Sequence, residues 1–92
     1  MIYDLKYFWM KLQKDINVFW TDVAKKVLLN RKIVDVRYMT DDEALDMGWS
    51  YRPVVIHLDD GNLVFASCDD EGNDGGALFT TMPDKSVLPV LR

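Results

Sequence analysis

Residues 5–27 read LKYFWMKLQKDINVFWTDVAKKV. At about 100° per residue, Leu5, Phe8, Trp9, Leu12, Ile16, Phe19, Trp20, Val23 and Val27 fall within one arc of about 120°. Only Lys26 intrudes at its edge. The stripe keeps phase along the whole segment, which predicts an amphipathic helix. Asp4 is the expected N-cap and Asn30 the expected end. A break near Asp15–Asn17 is an alternative, because Asp and Asn are weak helix formers.

Working outward, the helix is long for its chain. Twenty-five residues at about 1.5 Å each make about 37 Å, while a body built from the rest would be only about 25 Å across. One end is therefore expected to overhang. A second apolar patch, Tyr3, Tyr7, Met10 and Val18, lies opposite the main stripe. Two apolar faces at one end predict burial against a second chain through Tyr3, Tyr7, Phe8, Trp9 and Met10. For most of its length the stripe is expected to pack on the protein's own sheet, with the overhang buried against a second chain in addition; an interfacial membrane helix is the third reading.

The downstream sequence changes period. Residues 32–39 alternate, with Val34, Val36 and Tyr38 on one side and Asp35 and Arg37 on the other, as a half-buried strand does. Thr40 and Glu43 form a capping box for a helix over 41–47, and Gly48 suits its C-terminal cap. A second strand is expected over 53–59. Asp60-Gly61 predicts a two-residue hairpin pairing 58 with 63 and 56 with 65. Short strands over 77–81 and 87–91 follow, separated by a turn at Met82-Pro83-Asp84-Lys85, with Pro89 marking an edge. The fold class expected is α+β: an N-terminal amphipathic helix packed on a small antiparallel β-sheet or half-open barrel, with a short second helix. The 92 residues fit a single domain, residues 1–30 its helix and 31–92 its β-rich body.

The net charge of −4 is unevenly spread: residues 1–32 carry +4 and residues 33–92 carry −8. An acidic body repels phosphate backbones, so nucleic acid is not expected as a partner. One cysteine, Cys68, permits no intrachain disulfide. Asp4 and Lys6 break any secretory pattern, and the longest apolar runs are too short to span a bilayer, so a cytoplasmic location is expected.

Several chemistries can be tested against the composition. The expected hairpin register separates His57 from Cys68 by about 13 Å, too far for a nucleophile pair. A single thiol and a single imidazole do not make a zinc site. Gly48-Trp49-Ser50-Tyr51-Arg52 lacks the second glycine of a nucleophile elbow. Gly72, Gly75 and Gly76 have the wrong spacing for a phosphate loop. No enzyme, no metal and no cofactor are expected.

The segment 69–76 is the most unusual. Asp69, Asp70, Glu71, Asn73 and Asp74 place five oxygen-bearing side chains in six residues. A calcium loop needs Gly at its sixth position, where Asp74 stands. Two other readings are a turn whose side chains bond their own backbone and a loop locked to the body by Arg52 or Arg37, the second being preferred. Trp49, Tyr51 and Arg52 are residue types that dominate interfaces, and with the acidic loop they form the candidate binding surface. Trp49 plugging the end of the sheet is the plainer alternative.

The run Val36-Arg37-Tyr38-Met39-Thr40, the Glu43-Ala44 step, Gly48-Trp49, Arg52-Pro53, Leu58-Asp59-Asp60-Gly61 and the segment from Asp69 to Phe79 resemble a group of small uncharacterised bacterial and bacteriophage proteins. The resemblance spans about residues 32–92 and implies no reaction and no catalytic residue. The function expected is a non-enzymatic interaction module, self-associating as a homo-oligomer, with another protein as a further partner. The alternatives are a small-ligand or cation-binding protein using loop 69–76 and an acidic phage-type inhibitor of a host protein.

Overall fold

The computed structural model describes residues 5–81 and 83–92, with side chains from Lys14 onward. The chain falls into two units, Met1–Arg31 and Lys32–Arg92. It is α+β: two helices and two small antiparallel sheets.

The first unit is one helix, α1 (Leu5–Leu28), continuous through Asp15–Asn17. Its last turn carries Lys25 and Lys26, which suit the negative end of the helix dipole. Asn30 takes a left-handed φ of 63°, and Arg31 N–H bonds back to Leu28 O at 3.2 Å, so the helix stops where its asparagine allows. The expected cap at Asp4 lies outside the described residues.

The second unit opens with β1 (Ile33–Tyr38), then α2 (Asp41–Met47), β2 (Val54–Leu58) and β3 (Leu63–Phe65). The sheet order is β1-β2-β3, which leaves β1 on an edge. Val36 pairs with Ile56 and Ile56 with Val64, while Arg37 pairs with Val55 and Val55 with Phe65. Paired residues share a face. A register shift between Ile33 and Asp35 removes Val34 from the expected alternation: the extra residue is a bulge, and Ile33 sits opposite Leu58.

α2 forms as its sequence dictates. The Thr40 hydroxyl accepts the Glu43 N–H at 3.1 Å, and the Glu43 carboxylate accepts the Thr40 N–H at 2.9 Å. Gly48 closes the helix with φ 73°. Ala44 of this helix, with Met39 and Trp49, packs on Val55, which is 1% exposed. This small cluster, with buried Val54 and Leu58 beside it in β2, is the core of the unit.

The β2–β3 hairpin corrects the expected register. Leu58 N–H bonds to Asn62 O at 2.9 Å, and His57 pairs with Leu63, so three residues, Asp59 to Gly61, make the turn. A two-residue turn of the expected kind needs positive φ at both central positions. Only Gly61 has it (φ 86°); Asp60 does not, and its carboxylate instead accepts the Asn62 N–H at 3.0 Å. The slip moves Leu63 and Phe65 to the face of Val55 and His57, away from the expected Val54, Ile56 and Leu58.

The last strands are shorter than expected. β4 (Leu78–Phe79) and β5 (Val87–Leu88) make their own two-stranded sheet. Asp84, with φ 63°, turns between them; Met82 of the expected turn lies outside the described residues. The C-terminus returns to the body through an isolated bridge, Arg52 with Leu91.

Candidate binding surface

The segment after β3 folds back on the residues that follow α2. Asp74 is the pivot. Its Oδ1 accepts the N–H groups of Ser50 (3.1 Å), Tyr51 (3.0 Å) and Gly75 (2.7 Å). Its carbonyl accepts Cys68 N–H at 2.8 Å and the Ser67 hydroxyl at 3.1 Å. Asp69 organises the other end. Its Oδ1 accepts the N–H groups of Glu71 and Asn73, and its Oδ2 accepts the Asn73 amide at 2.7 Å. The Asn73 side chain, then its backbone N–H, hold the Asp69 carboxyl below its ordinary pKa.

Two glycines let the strands approach. A Cβ on Gly75 would stand 2.6 Å from Tyr51 O, and one on Gly76 2.7 Å from Ser67 O. Trp49 adds a clasp from below: its indole N–H donates to Gly72 O at 2.7 Å, and its ring meets Phe65 edge-on at 5.8 Å. Trp49 is 7% exposed and thus both fills the core and ties down the loop. Tyr51 is half-buried; its hydroxyl accepts from Arg92 Nη2 at 3.0 Å, and the guanidinium carbon lies 5.3 Å from the ring centre. The hydrogen bond to Tyr51 raises the Arg92 pKa.

The expected arginine lock on the loop is not what holds it. Arg37 turns to α2, where it grips Glu43 through two bonds of 2.7 and 3.1 Å and donates from Nε to His57 Nε2 at 3.0 Å. Arg52 donates to Met39 O and Arg92 O and lies 3.2 Å from Asp41. The counter-charge to Asp74 is backbone N–H dipoles, which serve a carboxylate as well as a cation does. Glu43, gripped first by Arg37 and then by the Thr40 N–H, has its pKa lowered to about 2.

The structure thus brings together Trp49, Tyr51, Asp69, Asn73 and Asp74, and turns Arg52 to the C-terminus. Asp70 and Glu71 are exposed on the loop. Among the described residues no three His, Cys, Asp or Glu side chains converge on a point that would hold a metal ion. Cys68 is exposed, and the His57 Nε2 accepts from Arg37 Nε. The side chains of Tyr7, Phe8, Trp9 and Met10, and the whole of Tyr3, lie outside the described residues.

Two apolar surfaces emerge, of which spacing alone had singled out only the second. One is a groove of about 280 Å³ beside α2, floored by Val55, Leu63 and Phe65 and rimmed by Glu43 and Asp46. The register slip creates it by moving Leu63 and Phe65 to that face. The other is the described half of the α1 stripe: Ile16, Phe19, Trp20 and Val27 are 52%, 59%, 61% and 46% exposed. Phe19 and Trp20 touch only edge-on, with centroids 5.2 Å apart.

No described helix is long and apolar enough to cross a membrane. The fold and the surface define a small α+β protein whose conspicuous polar cluster is spent on its own backbone. No family model, no curated protein and no solved structure matches the chain.

Proposed function

We propose that this protein is a non-enzymatic interaction module that works by self-association. One observation carries the reading: α1 holds an apolar stripe of whose described members four, Ile16, Phe19, Trp20 and Val27, are about half exposed or more, with Val23 half-buried among them. Contiguous apolar surface of this kind marks an association site. The loop supports the same reading by elimination of a competitor. Asp69 and Asp74, two of the loop's four carboxylates, already accept hydrogen bonds from their own chain. A bacterial cytoplasmic setting is part of the same proposal, supported by the resemblance of residues 32–92 to small bacterial and phage proteins.

Sedimentation velocity of the full chain at micromolar concentration tests this. An oligomer of defined size is expected. A strict monomer up to high micromolar concentration overturns the reading.

A further inference from the structure

α1 carries a narrower pattern inside its wide stripe. Ile16, Phe19 and Val23 are spaced by three and then four residues. In the sequence the same alternation runs back through Leu12, Trp9 and Leu5. A repeat of 3.5 residues is the seam of helices that wind around one another, and a helix laid on a sheet has no need of it. Trp20 and Val27 flank the seam on one side.

The helix cannot account for its own stability. It is rich in β-branched and aromatic residues, among them Ile16, Val18, Phe19, Thr21 and Val23, all indifferent helix formers. It has no acidic residue in its first turn to support the dipole. Helices of this composition hold only when an apolar face is buried. The area suffices for that: five described side chains at roughly 100 Å² each give roughly 1,000 Å² across two copies, the lower limit of a specific interface.

From these observations we infer that the occupant of the stripe is the α1 helix of a second copy, paired along the Ile16–Phe19–Val23 seam. This rests on the self-association proposed above and names its surface. The charges separate it from the rival arrangement, in which α1 docks on a second copy's acidic body. The segment 5–28 carries five Lys against two Asp, so two α1 helices repel weakly and added salt tightens their pairing. A basic helix on a body of −8 would be released by salt.

The test is sedimentation velocity of the full chain and three variants at low and high salt, about 0.05 and 0.5 M. Ile16→Asp/Phe19→Asp is expected to weaken association by at least about 100-fold, since two seam side chains are lost. Thr21→Asp, off the seam of the same helix, and Val36→Asp, on the exposed edge of β1, are expected to associate as the parent does. High salt is expected to tighten the parent oligomer. Near-UV circular dichroism of buried Trp49 verifies that the body stays folded, while far-UV helix signal falls in the seam variant alone. An oligomer that survives the seam substitutions, dissociates in high salt or is lost with Val36→Asp overturns this inference and leaves self-association standing. A monomeric parent chain, whether or not it floats with anionic vesicles, overturns both.

Discussion

The carboxylate of Asp74 accepts the backbone N–H of Tyr51 at 3.0 Å, across 23 residues of sequence. With the neighbouring bonds from Ser50 and Gly75, it makes one oxygen the anchor of the whole 69–76 loop. Asp74→Ala leaves three N–H groups without that acceptor in a half-buried site. It is expected to cost about 3 kcal/mol in urea unfolding, whereas Asp74→Asn, which keeps an oxygen, costs about 1 kcal/mol. Equal losses for the two variants would mean that the oxygen is not the anchor. Because Asp69 and Asp74 are engaged by their own chain and no described carboxylates converge on a metal site, millimolar calcium is expected to leave the melting temperature of the parent chain unchanged.

The glycines of this loop separate clash from strain. Gly72 has φ 74° but open space around its Cβ position, so Gly72→Ala is expected to cost only about 1 kcal/mol of backbone strain. Gly75 has no positive φ, yet a methyl there would stand 2.6 Å from Tyr51 O and 2.7 Å from Pro53 Cδ. Gly75→Ala is expected to cost more, about 3 kcal/mol, by prising the loop from residues 50–53. Parallel urea titrations rank the two, and a reversed order would contradict the close approach.

Glu43 gives the body an acid limb. Its pKa is about 2 in the folded chain, chiefly through Arg37, and lies in the ordinary carboxylate range near 4.5 when the chain is unfolded. The unfolded state therefore binds this proton first, and stability from the pair is present above about pH 4.5 and lost as pH falls toward 2. Glu43→Gln is expected to lower the urea midpoint at pH 6 and to flatten its fall between pH 5 and about 2. A variant that keeps the full parental slope would assign the acid limb to other carboxylates.

What was legible in the sequence was local. Thr40, Glu43 and Gly48 lie within one short helix and name its ends by their own bonding, so α2 fell where the spacing placed it. The α1 periodicity is equally self-contained. The hairpin register was not legible, because Asp60-Gly61 serves both a two-residue and a three-residue turn. The choice between them depends on whether Asp60 takes positive φ, which its bonds to Asn62 decide. The loop's partners were hidden for a different reason. A run of carboxylates invites a search for arginines, but the groups that answer Asp74 are backbone N–H donors, which every residue but proline carries and composition cannot reveal. Arg37 was unavailable to the loop because α2 had already placed Glu43 within its reach.

The open edge of β1 guards itself, and that guard can be removed. The β1–β2 register, with Met39 N–H bonded to Pro53 O, turns the backbone groups of Val36 and Tyr38 toward the unpaired edge. Each has a cap from its own strand. Asp35 Oδ1 accepts the Val36 N–H at 2.9 Å, and Arg37 Nη1 donates to Tyr38 O at 3.2 Å. The bulge at Val34 bends the same edge. Edge strands with exposed valines and isoleucines template further strands unless charges or bulges interrupt them, and Ile33, Val34 and Val36 are all exposed here. Asp35→Val removes the cap and the charge together and leaves a run of four apolar β-branched residues, 33–36. It is expected to raise the rate of thioflavin-positive scattering about tenfold, the worth of roughly one lost hydrogen-bond guard. Asp35→Asn keeps an acceptor for Val36 N–H and is expected to behave as the parent. Should Asp35→Val scatter no faster than the parent at the same concentration, the bulge alone protects the edge and the carboxylate has no part in it.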